Sequence, residues 1–460
     1  MVNYAGKKNR SAVSDPTGGG NASASTRKII LVDGTLREGE QSAGVFFTSG
    51  EKIKLIKLMD KAGINIADCG MPAVSKDEFK AIEKLASLDG LSIRIGASVR
   101  CLMPEIKLFS DTGASDCFII VPVSDIHIKE KFKMRRGEYI EYAKSCVGYA
   151  GELKIPGIHL ALEDMSRTDE EFYLELIGSI AAMNIKALKA FYLCDTVGVA
   201  LPEKIKYQAD TVLKILNGPR AAEKKNSAEN KDTAESKTAA SETISRPGLG
   251  IHCHNDYGLA LANTLSAFDA GADYLTFTQN GIGERAGNAK YHELIMSLAN
   301  LKKCKLKVDN SYLSVLSKTA EDISGIFVSA VEPVVGYNAF RHESGIHVSG
   351  LLRDRKIYEE YKPEDIGKKN EFVLGKHTGT ALIDKLLREH FTGVEFNRGE
   401  ILQILNIVKS MRVSAKKTDY AVMRRALLSF YDRALGGVQT SEFIKIVKSI
   451  LGQRKKNAAR

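Results

Sequence analysis

The stretch Gly250-Ile251-His252-Cys253-His254-Asn255-Asp256 shows how this chain is organised. Its apolar residues predict a buried strand at 248–254, and the spacing of residues 257–270 predicts a helix directly after it. Successive side chains of a strand point to opposite faces, so His252 and His254 point to the same face. Two imidazoles on one face suit a divalent metal that takes a carboxylate from elsewhere as a third ligand. Two ordinary strand histidines are the alternative interpretation of this pair.

The same pattern of a strand followed by a helix recurs along the chain. Apolar runs typical of buried strands lie at residues 28–33, 65–69, 92–99, 117–123, 157–163, 190–195, 248–254 and 274–278. Amphipathic helices fit between them, for example at residues 50–62, 76–87, 138–151, 169–183 and 257–270. Eight β/α units in about 270 residues are typical of a (β/α)8 TIM barrel with parallel strands. A doubly wound open sheet is the alternative.

Composition divides the chain into four regions. Residues 1–27 are rich in Gly, Ser, Asn and Ala, and we expect them to form a disordered tail. Residues 28–302 form the predicted barrel, which is interrupted at 217–247 by a charged low-complexity insertion on its surface. The irregular segments of residues 303–395 predict a lid or linker subdomain. Residues 396–460 predict a helical C-terminal region that ends in a basic tail.

The charge and cysteine content exclude several classes of protein. The formal net charge is +10, but residues 1–27 contribute +3 and residues 453–460 contribute +4, so the folded body is close to neutral. A nucleic-acid partner is therefore not expected. No apolar run approaches the roughly 20 residues that span a bilayer, so no membrane association is expected either. The seven cysteines form no Cys-x-x-Cys pair, which favours reduced core thiols in a cytoplasmic protein.

Polar and ionisable side chains follow the ends of most of the predicted strands. The active site of a TIM barrel lies at the carboxyl ends of its strands, so these side chains are expected to meet there. A single such residue could be a cap or an ion pair, whereas a ring of them is typical of an active site. The residues are 33–41 after the first strand, Asp68, residues 163–167, residues 195–196, residues 252–256 and residues 280–288.

Five motifs of the chain occur together in one order. They are DGTLREGEQSAGVFF (33–47), HCHNDYGLALAN (252–263), NGIGERAGNA (280–289), HESGIHVSGLL (342–352) and VLGKHTG (373–379). In this order they resemble the acyl-CoA-condensing family of metal-dependent TIM-barrel enzymes, which holds the isopropylmalate, homocitrate and citramalate synthases. The resemblance runs from about residue 28 to 380. Two further strings, VPVSDIHIKEKF (121–132) and EDMSRTDEEF (163–172), are most similar to the homocitrate synthases associated with nitrogenase cofactor synthesis and nitrogen fixation.

The resemblance implies a metal centre. Glu38, His252 and His254 would bind a divalent cation, which could be Mg2+, Mn2+ or Zn2+, and Asn288 would be a further ligand. Arg37 would face the keto oxygen of a 2-oxo acid and stabilise the alkoxide that forms on it. A salt bridge at the top of the barrel is the alternative role for Arg37 and Glu38.

The resemblance also implies residues that bind the substrate and move protons. Gln41, Glu163 and Thr196 would position the substrate, and Glu163 would belong to the catalytic set. His347 and Tyr358 match a catalytic pair of the family's lid, in which His347 would be part of the acid/base system that enolises acetyl-CoA. A structural lid histidine is the alternative for His347.

The reaction implied is a Claisen-type condensation of acetyl-CoA, as co-substrate, with a 2-oxo dicarboxylic acid. The subgroup resemblance favours 2-oxoglutarate as this acceptor and homocitrate as the product, in a homodimer whose lid covers the partner's barrel. However, His159 and Ala161 stand where lysine-pathway homocitrate synthases have an Arg and a Ser that read the distal carboxylate, and Ser98 replaces a His. Synthases of isopropylmalate or citramalate therefore remain alternatives.

Three other interpretations compete with a synthase. Gly281-x-Gly283-x-x-Ala286 fits a dinucleotide-binding fingerprint, but it falls in the eighth unit, and no acidic residue ends a strand about 20 residues later. A lyase that cleaves 3-hydroxyacyl-CoA would share the barrel and its metal, although the lid motif HESGIH favours a synthase. A scaffold without catalysis is the third alternative, and the complete set of expected metal ligands argues against it.

Overall fold

The computed structural model describes residues 28–218, 246–414 and 420–458, in which parallel strands close into a barrel. The strands are β1 (Ile30–Asp33), β2 (Ile66–Asp68), β3 (Arg94–Arg100), β4 (Asp116–Pro122), β5 (Gly157–Glu163), β6 (Leu188–Asp195), β7 (Gly248–Cys253) and β8 (Tyr274–Phe277). Strand β1 pairs with β2 on one side and with β8 on the other, which closes the sheet. The predicted (β/α)8 barrel is therefore confirmed, and the open doubly wound sheet is excluded.

Helices follow the strands and cover the outside of the barrel. They are α1 (Thr35–Glu38), α2 (Ser49–Ala62), α3 (Lys76–Ala86), α4 (Met103–Asp111), α5 (Asp125–His127), α6 (Arg136–Glu152), α7 (Glu170–Ala181), α8 (Pro202–Asn217), α9 (Ala260–Ala270) and α10 (Tyr291–Met296). Local sequence fixes several of their starts. Thr48 and Glu51 form a capping box at α2, and the Asp169 side chain accepts a hydrogen bond from the backbone of α7.

The interior of the barrel is filled with side chains and is not a channel. Buried apolar residues from the inner faces of the strands form its core, namely Ile30, Val32, Ile66, Phe118, Ala190, Tyr192 and Cys194. A buried polar chain runs through this cluster. The His159 Nε2–H donates to Asp116 Oδ1 at 2.8 Å, and the Tyr192 hydroxyl donates to His159 Nδ1 at 3.1 Å. Because each of these groups has a partner, the polar chain can be buried at low cost, and it closes the barrel beneath the strand ends.

The chain after the barrel forms a small sheet and further helices. Their bounds are α11 (Leu313–Ser324), β9 (Arg341–His342), α12 (Gly345–Arg353), β10 (Glu371–Phe372), α13 (Thr380–His390), α14 (Arg398–Ser414), α15 (Tyr420–Ala434) and α16 (Thr440–Ala458). Strands β9 and β10 pair in parallel. Leu313 and Leu316 of α11 belong to the hydrophobic core that the barrel shares with its helices. The first helix of the predicted lid thus packs directly on the barrel, and the predicted helical C-terminal region is confirmed.

Several other predictions can be compared with the structure. All seven cysteines are buried, as expected for core thiols. Strand β7 ends at Cys253, and His254 follows it in an isolated bridge to Asn288. None of the helices in the three described ranges is long and apolar enough to cross a membrane. The predicted tail at 1–27 and residues 219–245 of the insertion predicted at 217–247 lie outside the described residues.

We predict that Gly250→Ala destabilises the barrel. A Cβ at position 250 would lie 2.4 Å from Cδ1 of the Tyr192 ring, which is buried and hydrogen-bonded to His159. Overpacking of this kind costs about 1–3 kcal/mol, to be measured as the free energy of unfolding in urea. Gly148→Ala in α6 is the matched control. Its Cβ would make ordinary contact with Met183 at 3.5 Å, and a gain of up to about 1 kcal/mol is expected there. Equal stability of the two variants would contradict this account of the interior.

Candidate active site

Two strand ends bring three potential metal ligands together. Glu38 ends the one-turn helix α1 that follows β1, His252 lies on β7, and His254 comes directly after β7. His252 Nε2 lies 3.3 Å from His254 Nε2 and 3.4 Å from Glu38 Oε1. Two ligands bound about 2.0–2.1 Å from one tetrahedral cation lie about 3.3 Å from each other. Both measured distances match this spacing, and the ligand atoms of all three side chains lie within 4.8 Å of one another, so they can share a single ion.

The hydrogen bonds around the triad leave the required lone pairs available. Thr276 Oγ1 donates its hydrogen to the Ile251 carbonyl, so it accepts from His252 Nδ1–H at 3.0 Å. This assigns the proton to Nδ1 and leaves the lone pair of His252 on Nε2, which faces Glu38 and His254. Glu38 Oε2 is buried and has no hydrogen-bond partner among the described residues. The Glu38 carboxylate thus has Oε1 next to His252 and a second oxygen without a partner, which fits a divalent cation.

Burial keeps both imidazoles neutral. It lowers the pKa of His252 to about 3, and for His254 burial and the neighbouring positive charges lower the pKa to about 2. Only a neutral imidazole can bind a metal ion, so neither side chain has to lose a proton at neutral pH. The low-dielectric surroundings that shift these pKa values also strengthen the attraction between Glu38 and a cation.

Arg37 lies between two buried carboxylates. Its Nε donates to Asp68 Oδ2 at 2.8 Å, and its Nη1 contacts Glu38 Oε1. The Ser98 hydroxyl donates to the same Asp68 oxygen at 2.6 Å. Asp68, whose role the sequence left open, therefore orients the guanidinium beside the metal ligands.

A cavity of about 260 Å³ opens beside the triad. Its polar wall contains the metal ligands and most of the residues that the sequence predicts to bind substrate. Its inner wall is mostly apolar. The polar wall includes Arg37, Glu38, Gln41, Glu163, Thr196, His252 and His254, and the apolar wall includes Val32, Phe118, Ile120, Ala161, Tyr192 and Cys194.

The three predicted substrate-binding residues have partners within the chain. Gln41 Oε1 accepts from Arg37 Nη1 at 3.3 Å, which places its amide next to the guanidinium. Thr196 Oγ1 accepts from the Asp164 backbone at 2.8 Å. Both Glu163 oxygens accept from Lys131 Nζ, at 2.8 and 2.7 Å. These three roles remain predictions, and each side chain lines the cavity as they require.

Asn288, His347 and Tyr358 are not placed as directly at the proposed metal site as the triad is. Asn288 directs Nδ2 toward His252 Nε2 at 3.5 Å, so its amide lies beside the triad with the carbonyl oxygen turned toward Gly283. The rings of His347 and Tyr358 lie 4.4 Å apart, and both side chains are exposed. Neither lines the barrel cavity of its own chain.

Two residues that the sequence analysis did not single out contribute to the site. Thr276 fixes the His252 tautomer, and Lys131 neutralises Glu163. Strand alternation from the inward-facing Tyr274 would have pointed to Thr276. Lys131 lies after β4 in a turn of Ile128–Phe132, where no periodic pattern indicates the direction of the side chain.

A second group of potential ligands lies where the barrel meets the following segment. His292, Glu293 and Glu332 are close enough to share an ion. However, Lys290 Nζ contacts Glu332, and His292 Nε2 lies 3.2 Å from the same carboxylate oxygen. The Lys290 ammonium already neutralises the Glu332 carboxylate. We therefore describe this group as a clasp, a set of polar contacts that links the end of the barrel to the segment after it.

Family models assign this chain to a known class of protein. The HMGL-like family model matches residues 28–223 and 229–320, which is more than half of the chain. A second model, described as "Homocitrate synthase post-HMGL domain-like", matches residues 334–416. The chain therefore belongs to the HMGL-like family. The HMG-CoA lyase of Bacillus subtilis shows the same fold, with a TM-score of 0.52 at 16% identity over 65% of this chain and 95% of that one.

Three similar proteins of Methanopyrus kandleri narrow the class. The probable 2-isopropylmalate synthase is 33% identical, over 84% of this chain and 70% of the relative. The putative (R)-citramalate synthase CimA is 34% identical, over 86% and 71%, and the homocitrate synthase AksA is 33% identical, over 88% and 94%. The chain is thus an enzyme of the synthase branch, an acyl-CoA-condensing transferase. Similarity does not distinguish the three named synthases.

We predict that metal binding releases almost no protons. With ordinary pKa values near 6.5, two histidines would together release about 1.5 protons at pH 6. Because the pKa values of His252 and His254 are lowered to about 3 and about 2, both are already deprotonated at pH 6. Calorimetric titration with Mn2+ in two buffers of different ionisation enthalpy should give the same heat at pH 6, and the Kd should equal that at pH 7.5. A release of more than one proton would show that the histidines are not buried in this way.

Proposed function

We propose that this chain condenses acetyl-CoA with a 2-oxo acid at a divalent metal and releases free CoA. The observation that carries the proposal is the Glu38–His252–His254 triad with Arg37 beside it, in the wall of a cavity of about 260 Å³. A metal ion at this triad supplies positive charge that polarises the keto group of the acceptor. Glu38, His252 and His254 would hold it, with Asn288 next to them as the fourth expected ligand.

Arg37 stabilises the charge that develops on the acceptor. Its guanidinium is fixed by Asp68 and Gln41, so it does not have to reorganise as the keto oxygen becomes an alkoxide. Thr196 and Glu163 line the same cavity and would orient the acceptor relative to the attacking carbon. Preorganised donors of this kind are worth about 3–4 kcal/mol each in other enzymes.

Proton transfer is the role proposed for His347 and Tyr358. His347 would take a proton from the methyl group of acetyl-CoA, and the enolate carbon would then bond to the keto carbon of the acceptor. The keto oxygen gains a proton, and water cleaves the thioester to release the CoA thiol. Because the pair does not line the cavity of its own chain, we propose that it serves the barrel of a second copy in a homodimer, as the family resemblance implies.

The lining of the cavity bears on which 2-oxo acid is the acceptor. Resemblance to one subgroup favours 2-oxoglutarate, but the inner wall of the cavity is apolar at Phe118, Ile120 and Ala161. Three cations at or next to the cavity are already paired, Arg37 with Glu38 and Asp68, Lys131 with Glu163, and Arg285 with Asp256. A second carboxylate would be buried without a partner, at a cost of several kcal/mol. We therefore propose an acceptor with an uncharged side chain, which fits a synthase of the isopropylmalate or citramalate type, and keep homocitrate formation as the second candidate.

We predict that 2-oxoisovalerate or pyruvate gives a kcat/KM more than about 10-fold above that of 2-oxoglutarate or oxaloacetate, because of this desolvation cost. Release of CoA thiol from acetyl-CoA with Mg2+ or Mn2+ measures it, and the buried cysteines of the protein give a low background. Glu38→Ala and His252→Ala should abolish release with all four acceptors, while Glu293→Gln in the clasp should not.

Two outcomes would revise the proposal. A preference for 2-oxoglutarate that is lost in Lys131→Met would mean that Lys131 leaves Glu163 to bind the distal carboxylate, and homocitrate would then be the product. If none of the four acceptors supports thiol release, the condensing activity itself is contradicted and a lyase reaction becomes the next one to test.

A further inference from the structure

A buried lysine lies directly beneath the metal-binding loop. Lys52 is on α2, and its side chain has no exposed surface. Its Nζ donates to Glu40 Oε2 at 2.7 Å, to the two Glu78 oxygens at 2.7 and 2.8 Å, and to the Cys69 carbonyl at 3.1 Å. An ammonium group uses three hydrogens, and these partners account for all of them.

Two of the three partners of Lys52, Glu40 and the Cys69 carbonyl, belong to the segments that carry Glu38 and Asp68. Glu40 lies two residues after Glu38 in the turn Gly39–Gln41, and its other oxygen accepts from the Phe47 backbone at 2.7 Å. The Cys69 carbonyl comes directly after Asp68, the carboxylate that orients Arg37. Lys52 therefore links the loop after β1 to the end of β2. Arg37 links the same two segments through its contacts with Glu38 and Asp68.

The sequence leaves space for this arrangement. Gly70 follows Cys69 and has a φ of +139°, a conformation that L side chains rarely adopt. A Cβ at this position would lie 1.7 Å from Glu78 Oε1. Only glycine here allows the Glu78 carboxylate to reach the ammonium.

Burying a cation costs free energy of desolvation, so the buried Lys52 ammonium needs a physical explanation. Burial by itself lowers the pKa of Lys52, but the carboxylates of Glu78 and Glu40 outweigh that effect and hold the pKa above its ordinary value. Lys52 thus stays charged over the whole physiological range. An apolar side chain could fill the same volume between α2 and the barrel at lower cost. What it could not do is fix two carboxylates and a carbonyl at set distances.

We propose that Lys52 is a positioning residue for the metal centre. By holding Glu40 and the Cys69 carbonyl, it fixes the backbone of the loop that carries Arg37 and Glu38 relative to the strand end that carries Asp68. Residues in the shell outside metal ligands commonly change metal affinity 10–100-fold when they are replaced. The inference rests on the proposed function in one respect, namely that the triad binds a divalent metal.

The test is the Kd for Mn2+, measured from the electron spin resonance signal of the free ion. We expect Lys52→Met to raise the Kd at least about 10-fold and Lys52→Arg, which keeps the charge, to raise it less. Leu176→Ala in α7 is the matched control, because it lowers stability through a buried residue of the core that is not part of the site. Its Kd should equal that of the wild type although its unfolding temperature falls.

The outcomes separate the two claims. If the wild type does not bind Mn2+, the proposed function fails. If the wild type binds Mn2+ and Lys52→Met folds with an unchanged Kd, or with a rise no greater than that of Leu176→Ala, the positioning role is overturned. Should Lys52→Met not fold, Glu78→Gln decides. Glu78→Gln keeps one acceptor oxygen for Lys52, so we expect its Kd to rise by less than the roughly 10-fold expected for Lys52→Met. A lower unfolding temperature with the wild-type Kd would overturn the inference.

Discussion

Two buried carboxylates share one guanidinium at the carboxyl ends of the barrel strands. This leaves an excess of one negative charge, and the rest of the site depends on it. Glu38 and Asp68 are nearly inaccessible to solvent, and Arg37 is the cation that contacts both. Uncompensated negative charge in a low-dielectric pocket is unfavourable unless a further cation neutralises it. The two neutral imidazoles next to Glu38 would supply the remaining ligands. The electrostatics and the donor set thus call for the same partner, a divalent metal.

The barrel provides the rigidity that this charge arrangement requires. Closure between β1 and β8 places the loop with Glu38 beside the strand that carries Thr276, and Thr276 in turn fixes His252. Beneath the pocket, the His159–Tyr192 network fills the interior with satisfied polar groups, so the floor cannot collapse or admit water easily. Outside the barrel, Lys52 ties two strand ends together. A site built on strand ends with this support can hold its ligands within the narrow tolerance that a metal demands.

The sequence was sufficient for the fold, because the fold depends on periodic patterns, whereas Glu38 and Asn288 entered as expected ligands only through the family resemblance. Alternation of apolar strands with helices predicted the barrel, and the His-x-His spacing on β7 predicted two imidazoles on one side. The sequence could not show that Asp68 orients Arg37 or that Lys131 neutralises Glu163, since these contacts join residues 31 and 32 positions apart through tertiary packing. The proposed substrate preference rests on tertiary contacts of the same kind. Only the folded barrel shows that the strand with Phe118 and Ile120 faces the cavity and that these two residues form its apolar inner wall.

The most direct test of the central claim is a crystal soaked in Mn2+ and examined by anomalous scattering. We predict one strong peak within about 2.0–2.3 Å of Glu38, His252 Nε2 and His254, with no comparable peak elsewhere in the barrel. A peak at His292, Glu293 and Glu332, or none at the triad when Mn2+ is in large excess, would contradict the claim that this strand end is a metal centre.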